Sequence, residues 1–332
     1  MLPLFAAGST TIDPLLLLLA ALALDAAIGD PAAIFRRLPH PVVLVGMLVA
    51  RLEQRLNRQD HSDRDRRLGG IATVLVVVVA AAGVGALVDL ASARSAWLAV
   101  GEVAVLAALL AQRSLYDHVA AVATALDEDG LAGGREAIRH IVGRDPQSLD
   151  EEGVGRAAIE SLAENFSDGV VAPVFWFVLL GLPGICAYKA INTLDSMIGH
   201  RSPRYRAFGW AAARLDDVAN FVPARIAGLL IAAAAAVVPG TSGKDALVVM
   251  VRDARKHRSV NAGWPEGAMA GALDISLAGP RQYNGEQVED AWIGDGSEDA
   301  RTADIRRALG LFIVACLVEA ALIGAAVLIR NG

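Results

Sequence analysis

Cysteine is almost missing from this chain: only Cys186 and Cys316 occur, each inside an apolar run. That excludes a disulfide framework and any Cys/His spacing of the zinc type, and both residues read as small buried hydrophobes. The six histidines (40, 61, 118, 140, 200 and 257) are scattered and read as structural. Lysine appears only at 189, 244 and 256; every other basic residue is arginine. Arginine grips carboxylate and phosphate with a planar fork, although a GC-rich genome produces the same bias. The stretch Gly240-Thr-Ser-Gly243-Lys244-Asp245 lacks the spacing and the Ser/Thr of a phosphate-binding loop, and no G-x-S-x-G elbow is present. Repeats and low-complexity linkers are also absent. A formal net charge of −6 gives no basis for nucleic-acid binding. No basic region precedes Leu15–Leu24, so this segment reads as a retained first span and not as a cleaved signal.

What the chain does have is long apolar runs. It is 55% hydrophobic but only 5% aromatic, with a mean hydropathy of +0.45. Its apolar mass is therefore Ala, Val, Leu and Ile, which suits closely packed helices in lipid. Candidate spans are Asp13–Ile28, Leu68–Leu90, Ala96–Gln112, Val170–Ile191, Phe221–Val238 and Ile305–Ile329. The first and third are short, and the fourth is interrupted by Gly181-Leu-Pro183-Gly184. The expectation is an all-α, polytopic integral membrane protein with about four to six spanning or re-entrant helices and amphipathic surface helices. Residues 1–332 read as a single membrane domain.

The polar segments set the expected topology. In the first loop, 29–67, Gly29-Asp30-Pro31 and Pro39-His40-Pro41 precede a helical stretch ending near Asn57. Val42, Val45, Leu48, Leu52 and Leu56 share one side of it, as in a helix lying on a membrane surface. Arg64, Arg66 and Arg67 then stand before the second span, which makes this loop cytoplasmic and puts the N-terminus outside. Segment 113–168 is polar and cytoplasmic by alternation; its turn signals at Asp127–Gly130, Gly133-Gly134 and Gly143–Pro146 imply short helices. If the fourth run crosses fully, Arg201, Arg204, Arg206 and Arg214 lie outside; if it turns back at Leu182-Pro183-Gly184, both flanks stay cytoplasmic. Charge distribution leans towards the broken or re-entrant form. The second long polar segment, 240–304, offers a helix over Asp245–His257, a short small-residue helix beginning near Pro265 and a turn-rich loop at Gly279–Gly285.

Chemistry-bearing residues concentrate in 156–225. Helical spacing puts Arg156, Glu160, Glu164 and Asp168 on one face, beside a membrane-grade apolar run. Such a face suits Mg²⁺, which takes one or two carboxylates together with phosphate oxygens, or is simply a solvated helix with an Arg156–Glu160 pair. Asp195 and the Asp216-Asp217 pair, followed by Asn220, add oxygen ligands next to other apolar segments. A favourable charge cluster at the N-terminus of the fifth span accounts for the last group equally well. Lys189, Arg201, Arg204, Arg214, Arg225 and Arg281 are candidate clamps for phosphate or carboxylate.

Several long motifs then stand in a recognisable order: Asp25–Pro31 with His40-Pro41, Gly143-Arg144-Asp145, Glu160–Gly169, Asn192–Gly199, Arg214–Asn220 with Pro223-Ala-Arg225, and Asn261-Ala-Gly-Trp264-Pro265-Glu266. Over nearly its whole length the chain resembles the adenosylcobinamide-phosphate synthases of cobalamin biosynthesis, the CobD/CbiB family. Arg258 and Val260 depart from it, standing where proline is expected.

The resemblance implies a ligase that uses ATP and Mg²⁺ to join adenosylcobyric acid, a corrinoid, to 1-aminopropan-2-yl phosphate or ethanolamine phosphate through an amide. It implies metal ligation by Asp168, Asp195, Asp216 and Asp217, and catalytic carboxylates at Glu160, Glu164 and Glu266. Binding of substrate or nucleotide would fall to Asn165, Lys189, Asn192, Arg201, Arg214, Asn220, Arg225, Asn261 and Trp264. The expected partners are these substrates, the lipid bilayer and other membrane enzymes of late cobalamin assembly, with no nucleic acid. The expected location is the cytoplasmic membrane, with the site facing the cytoplasm. Two rivals share the architecture: a non-catalytic membrane sensor like the β-lactamase-induction protein AmpE, and a corrinoid-binding transporter or scaffold. A sensor has no need of so many acidic, Asn and Arg motifs, and a transporter needs a polar path across the bilayer that the runs lack.

Overall fold

In the computed structural model, residues 12–31, 35–37, 39–139, 141, 146–283, 286–288 and 290–331 are described. Helices account for nearly all of the regular structure. The protein is a polytopic helical membrane protein: Asp63–Ser92, Trp97–Ile138, Glu151–Ile198 and Thr302–Asn331 are long and apolar enough to cross a bilayer, and a fifth span arises if Trp210–Ala219 and Phe221–Ala235 count as one. The chain divides into two compact units. Unit 1 comprises Met1–Ala111, Ala172–Asn220 and Gly324–Gly332; unit 2 comprises Gln112–Val171 and Phe221–Ile323. No linker in the sequence marks these boundaries, since the chain passes from one unit to the other several times.

Unit 1 contains α1 (Pro14–Ile28), α2 (Pro41–Leu56), α3 (Asp63–Ser92) and α4 (Ala96–Ala107). Local chemistry explains where each begins. Asp13 accepts the Leu15 N–H at 2.9 Å, His40 Nδ1 accepts the Val42 N–H at 3.2 Å, and proline follows each cap. Ser62 and Ser95 cap α3 and α4 in the same manner. Helix α2 turns Val45, Leu48, Val49, Leu52 and Leu56 to a core shared with α3 and with a later helix, α7 (Ala172–Ile198). The side expected to lie on a membrane surface, through Val45, Leu48, Leu52 and Leu56, is thus packed on protein instead. Leu75, Val79, Val84 and Leu87 of α3 remain exposed, as a lipid-facing stripe requires. Helix α8 (Trp210–Ala219) completes the unit.

The apolar run read as broken is bent at Gly181, with φ 67° and ψ −156°. Only glycine occupies that region readily. Pro183 cannot donate a helical hydrogen bond there, and Gly85 of α3 makes room for the bend, since a Cβ on it would stand 2.7 Å from the Leu182 carbonyl oxygen. The arms on either side of Gly181 reach adjacent residues at the end of α8: Trp176 Nε1–H donates to Ala219 O at 3.1 Å, and Tyr188 O–H donates to Asn220 Oδ1 at 2.8 Å.

Unit 2 is built from α5 (Gln112–Ile138), α6 (Glu151–Phe166), α9 (Phe221–Ala235), α10 (Gly243–Asp253), α11 (Gly263–Leu273) and most of α12 (Thr302–Asn331). The turn signal at Asp127–Gly130 marks a real break: α5 is two helical stretches joined at Gly130, whose backbone is non-helical at φ 63° and ψ −154°, whereas Gly133-Gly134 stays within the second stretch. The small-residue helix α11 lies at the centre of the unit, against α6, α9 and α10, with all but Trp264 of its residues buried. Glycine and alanine permit this closeness: a Cβ on Gly271 would meet the Asp245 carbonyl oxygen at 2.3 Å. The turn-rich loop contains short strands that the sequence reading did not anticipate. Strand β1 (Leu277–Ala278) pairs antiparallel with β4 (Trp292–Ile293), and β2 (Arg281–Tyr283) pairs with β3 (Glu286–Val288).

Asp253 ties this loop to α10. Its carboxylate is fully buried, accepts from Arg252 at 2.6 and 2.8 Å and from the Gly294 N–H at 3.0 Å, and pairs with Lys256 at 2.7 Å. Burial alone would push its pKa up, but the hydrogen bonds from Arg252, Lys256 and Gly294 outweigh burial and hold it well below the ordinary carboxylate range.

Candidate functional site

Each unit carries its own constellation of the residues singled out from the sequence. In unit 1, α8 presents Arg214, Asp216 and Asp217, and Asn220 follows it. Asn220 is buried, donates to Asp216 Oδ2 at 3.0 Å and accepts from Tyr188. The acidic pair therefore sits in the last turn of α8, with its backbone in place before α9 begins. The reading that made it a dipole-complementing cluster at the start of the fifth span is corrected here, because the helix breaks at Asn220. Arg214 Nη1 stands 3.4 Å from Asp217 Oδ2. Asp195, on α7, is near enough to Asp217 for the two side chains to interact electrostatically. Lys189 and Asn192 lie on the same helix, half-buried, while Arg201 is exposed in the connection to α8.

In unit 2, Arg225 is fixed from several directions. Its guanidinium lies 3.7 Å from the Phe221 ring centroid and 4.4 Å from that of Trp264. It donates to Asn261 Oδ1 at 3.0 Å, to Phe221 O at 2.6 Å and to Val260 O at 3.4 Å. A planar cation held between two aromatic faces is oriented for bidentate recognition in a way that lysine does not reproduce. Glu266, in the first turn of α11, is buried, with its Oε2 3.7 Å from His257 Nε2. The other imidazole nitrogen, Nδ1, accepts the Ser259 N–H at 2.9 Å, so in the neutral ring the proton resides on Nε2, facing the carboxylate. Nothing in the sequence flagged His257: it is nine positions from Glu266, and only the turn between α10 and α11 brings the two together.

The face drawn through Arg156, Glu160, Glu164 and Asp168 does not continue as one stripe. Helix α6 ends at Phe166, and Asp168 lies in a π-helical turn, Ser167–Val171, whose wider spacing takes it out of register. Glu160 is buried, with Oε1 accepting the Ala278 N–H at 2.8 Å, which anchors β1. Glu164 and Asn165 are exposed, and Asn165 donates to Ser161 O at 2.9 Å. The π-turn is a functional hint that periodicity could not supply, since such turns recur at functional sites. Gly143-Arg144-Asp145 and His140 lie outside the described residues.

Among the described residues no group of three or more His, Cys, Asp or Glu side chains is gathered to hold a metal ion. Asp195 and Asp217 are carboxylates within electrostatic reach of each other, and a Mg²⁺ that keeps its waters and takes phosphate oxygens uses only one or two carboxylates of a protein. That donor chemistry fits.

The family described as "CobD/Cbib protein" matches residues 18–312. The chain is 51% identical over 319 residues to Cobalamin biosynthesis protein CobD of Brucella anthropi, covering 93% of this chain and 98% of that protein. It is 51% identical over 309 residues to the protein of the same name from a Sinorhizobium species, covering 92% and 96%. The Rhodobacter capsulatus protein of that name is 49% identical over 302 residues, covering 89% and 92%. No solved structure matches. With most of its length matched, this chain belongs to the CobD/CbiB family.

Proposed function

We propose that this protein acts in cobalamin biosynthesis as an adenosylcobinamide-phosphate synthase, forming an amide between a propionate carboxylate of adenosylcobyric acid and the amine of 1-aminopropan-2-yl phosphate or ethanolamine phosphate. The observation that carries this reading is full-length similarity to relatives named for cobalamin biosynthesis, with the polar motif residues drawn into two ordered constellations. A carboxylate acylates poorly. Transfer of the γ-phosphoryl group of ATP to it gives an acyl phosphate and ADP; the amine then attacks the acyl carbon, phosphate leaves, and the amine nitrogen loses a proton.

Each constellation supports part of that chemistry. Asp195 and Asp217 are the residues for Mg²⁺, with Asp216 held in place by Asn220, and Asp168 is a further candidate in unit 2. When bound, Mg²⁺ neutralises the charge of the phosphates. Arg214 and Arg201 in unit 1 and Arg225 in unit 2 are the candidates for phosphate or carboxylate. Lys189, Asn192 and Asn165 are further candidates for contact with substrate, and Asn261 and Trp264 orient Arg225. Glu266, backed by His257, is the group best placed to take the amine proton; Glu164, being exposed, is the alternative, and Glu160 holds the β1 segment. The reading places the protein in the cytoplasmic membrane with its polar motifs facing the cytoplasm.

The test is direct. Purified full-length protein in detergent receives adenosylcobyric acid, Mg-ATP and 1-aminopropan-2-yl phosphate, and the corrinoid mass is followed. A shift to the amide with phosphate released from ATP is expected. No shift, with ethanolamine phosphate also tried and lipid restored, overturns the ligase in favour of a sensor or scaffold. A cysteine placed at Arg201 and probed with an impermeant thiol reagent tests the facing.

A further inference from the structure

Helix α4 is apolar except for one residue. Glu102 is its sole charged side chain; it is only 2% exposed, and its Oε2 has no hydrogen-bond partner among the described residues. The nearby Ser92 hydroxyl donates to the Asp89 carbonyl oxygen at 2.8 Å and so does not satisfy that oxygen. A carboxylate in this position is costly unless something answers it. It lines a cavity of about 340 Å³ within unit 1, together with Asp89 from the last turn of α3. The opposite wall is the bent part of α7, including Phe177, Leu180 and Gly181. No basic residue is among the lining residues.

We propose that this cavity binds a small organic ammonium, with Glu102 and Asp89 as its anionic end and the aromatic and aliphatic side chains as its walls. Two carboxyl groups beside an open cavity, without a protein cation, are answered by protonation when the cavity is empty and by charge pairing when a cation enters it. A bare or hydrated metal ion would use only the acidic end and leave the remaining apolar walls in contact with water, whereas an alkylammonium matches both. Phe177 adds an aromatic ring to the lining. The site is separate from the proposed reaction: with no basic residue in its lining it has nothing to hold an amino-alcohol phosphate by its phosphate. A soluble amine and the amine headgroup of a phospholipid present the same ammonium chemistry.

The experiment measures thermal stability of the full-length protein in phosphatidylcholine nanodiscs during titration with n-butylammonium chloride. Controls are sodium chloride at equal ionic strength and the neutral isostere n-butanol. Saturable stabilisation by butylammonium alone is expected, with its midpoint weakened at least about tenfold in Glu102→Gln and in Asp89→Asn, as loss of a charge-assisted contact implies. Absence of saturable stabilisation, an equal response to sodium, or an unchanged midpoint in both variants overturns the proposal. Should Glu102→Gln fail to fold, the partly exposed Asp89→Asn decides. Competition by phosphatidylethanolamine added to the nanodiscs assigns the lipid headgroup as the source, and its absence assigns a soluble amine.

Discussion

Helix α3 of unit 1 is thirty residues long and leaves Leu75, Val79, Val84 and Leu87 between 60% and 69% exposed, whereas α11 of unit 2 is eleven residues long and almost wholly buried. Each is stable for a different reason. Apolar side chains on α3 need lipid around them, and its contacts with protein occupy one side only. Helix α11 has protein on every side and is built of glycine and alanine because carbonyls of α10 stand against it. Stability in unit 2 should therefore be governed by steric fit and by buried ion pairs, and in unit 1 by the solvent and by the backbone at one bend.

The largest expected effect tests that fit. Gly271→Leu forces a side chain into the Asp245 carbonyl and should abolish folding of unit 2, seen as loss of the monodisperse protein on size exclusion in detergent. Asp253→Asn should follow, costing about 3 kcal/mol, since it leaves Arg252 and Lys256 without their buried partner. Its pH dependence has a definite sign. Because the folded pKa is depressed, wild-type Asp253 stabilises the protein above the ordinary carboxylate range. That advantage is lost as pH falls below about 4, so the gap between wild type and variant should close there. Unfolding curves recorded across the acid range check this.

In unit 1, Gly181→Ala should cost about 1–3 kcal/mol through backbone strain alone, measurable as a lower melting temperature in nanodiscs. Val79→Ala on the lipid face should fall within about 0.5 kcal/mol. If Val79→Ala proved as damaging as Asp253→Asn, the contrast between the two units would be broken. Arg225→Lys sharpens the comparison at the level of function: folding should be retained while turnover in the ligase assay falls by roughly tenfold or more, because charge survives but the stacked fork does not.

Much of this was legible in advance. Composition and run lengths alone specify a helical membrane protein, because the requirement that backbone groups be satisfied in lipid leaves few alternatives. The span drawn from Asp13 falls within a residue of the start of α1, Pro39-His40-Pro41 marks the start of α2, and Gly181 with Pro183 marks the bend. These are local effects of covalent geometry. The motif residues were identifiable by resemblance, with Arg225, Asn261 and Trp264 in view before their contact was known. Three things required the fold. The π-turn removes Asp168 from the stripe that 3.6-residue periodicity drew through it, His257 meets Glu266 across a turn, and Glu102 faces a cavity made by segments far apart in the chain. The division into two units was equally hidden, since each is assembled from separated stretches. Sequence determines the solvent and the local backbone, which depend on neighbours along the chain. Tertiary structure alone decides which charged groups face one another, because that depends on packing between helices brought together from distant positions.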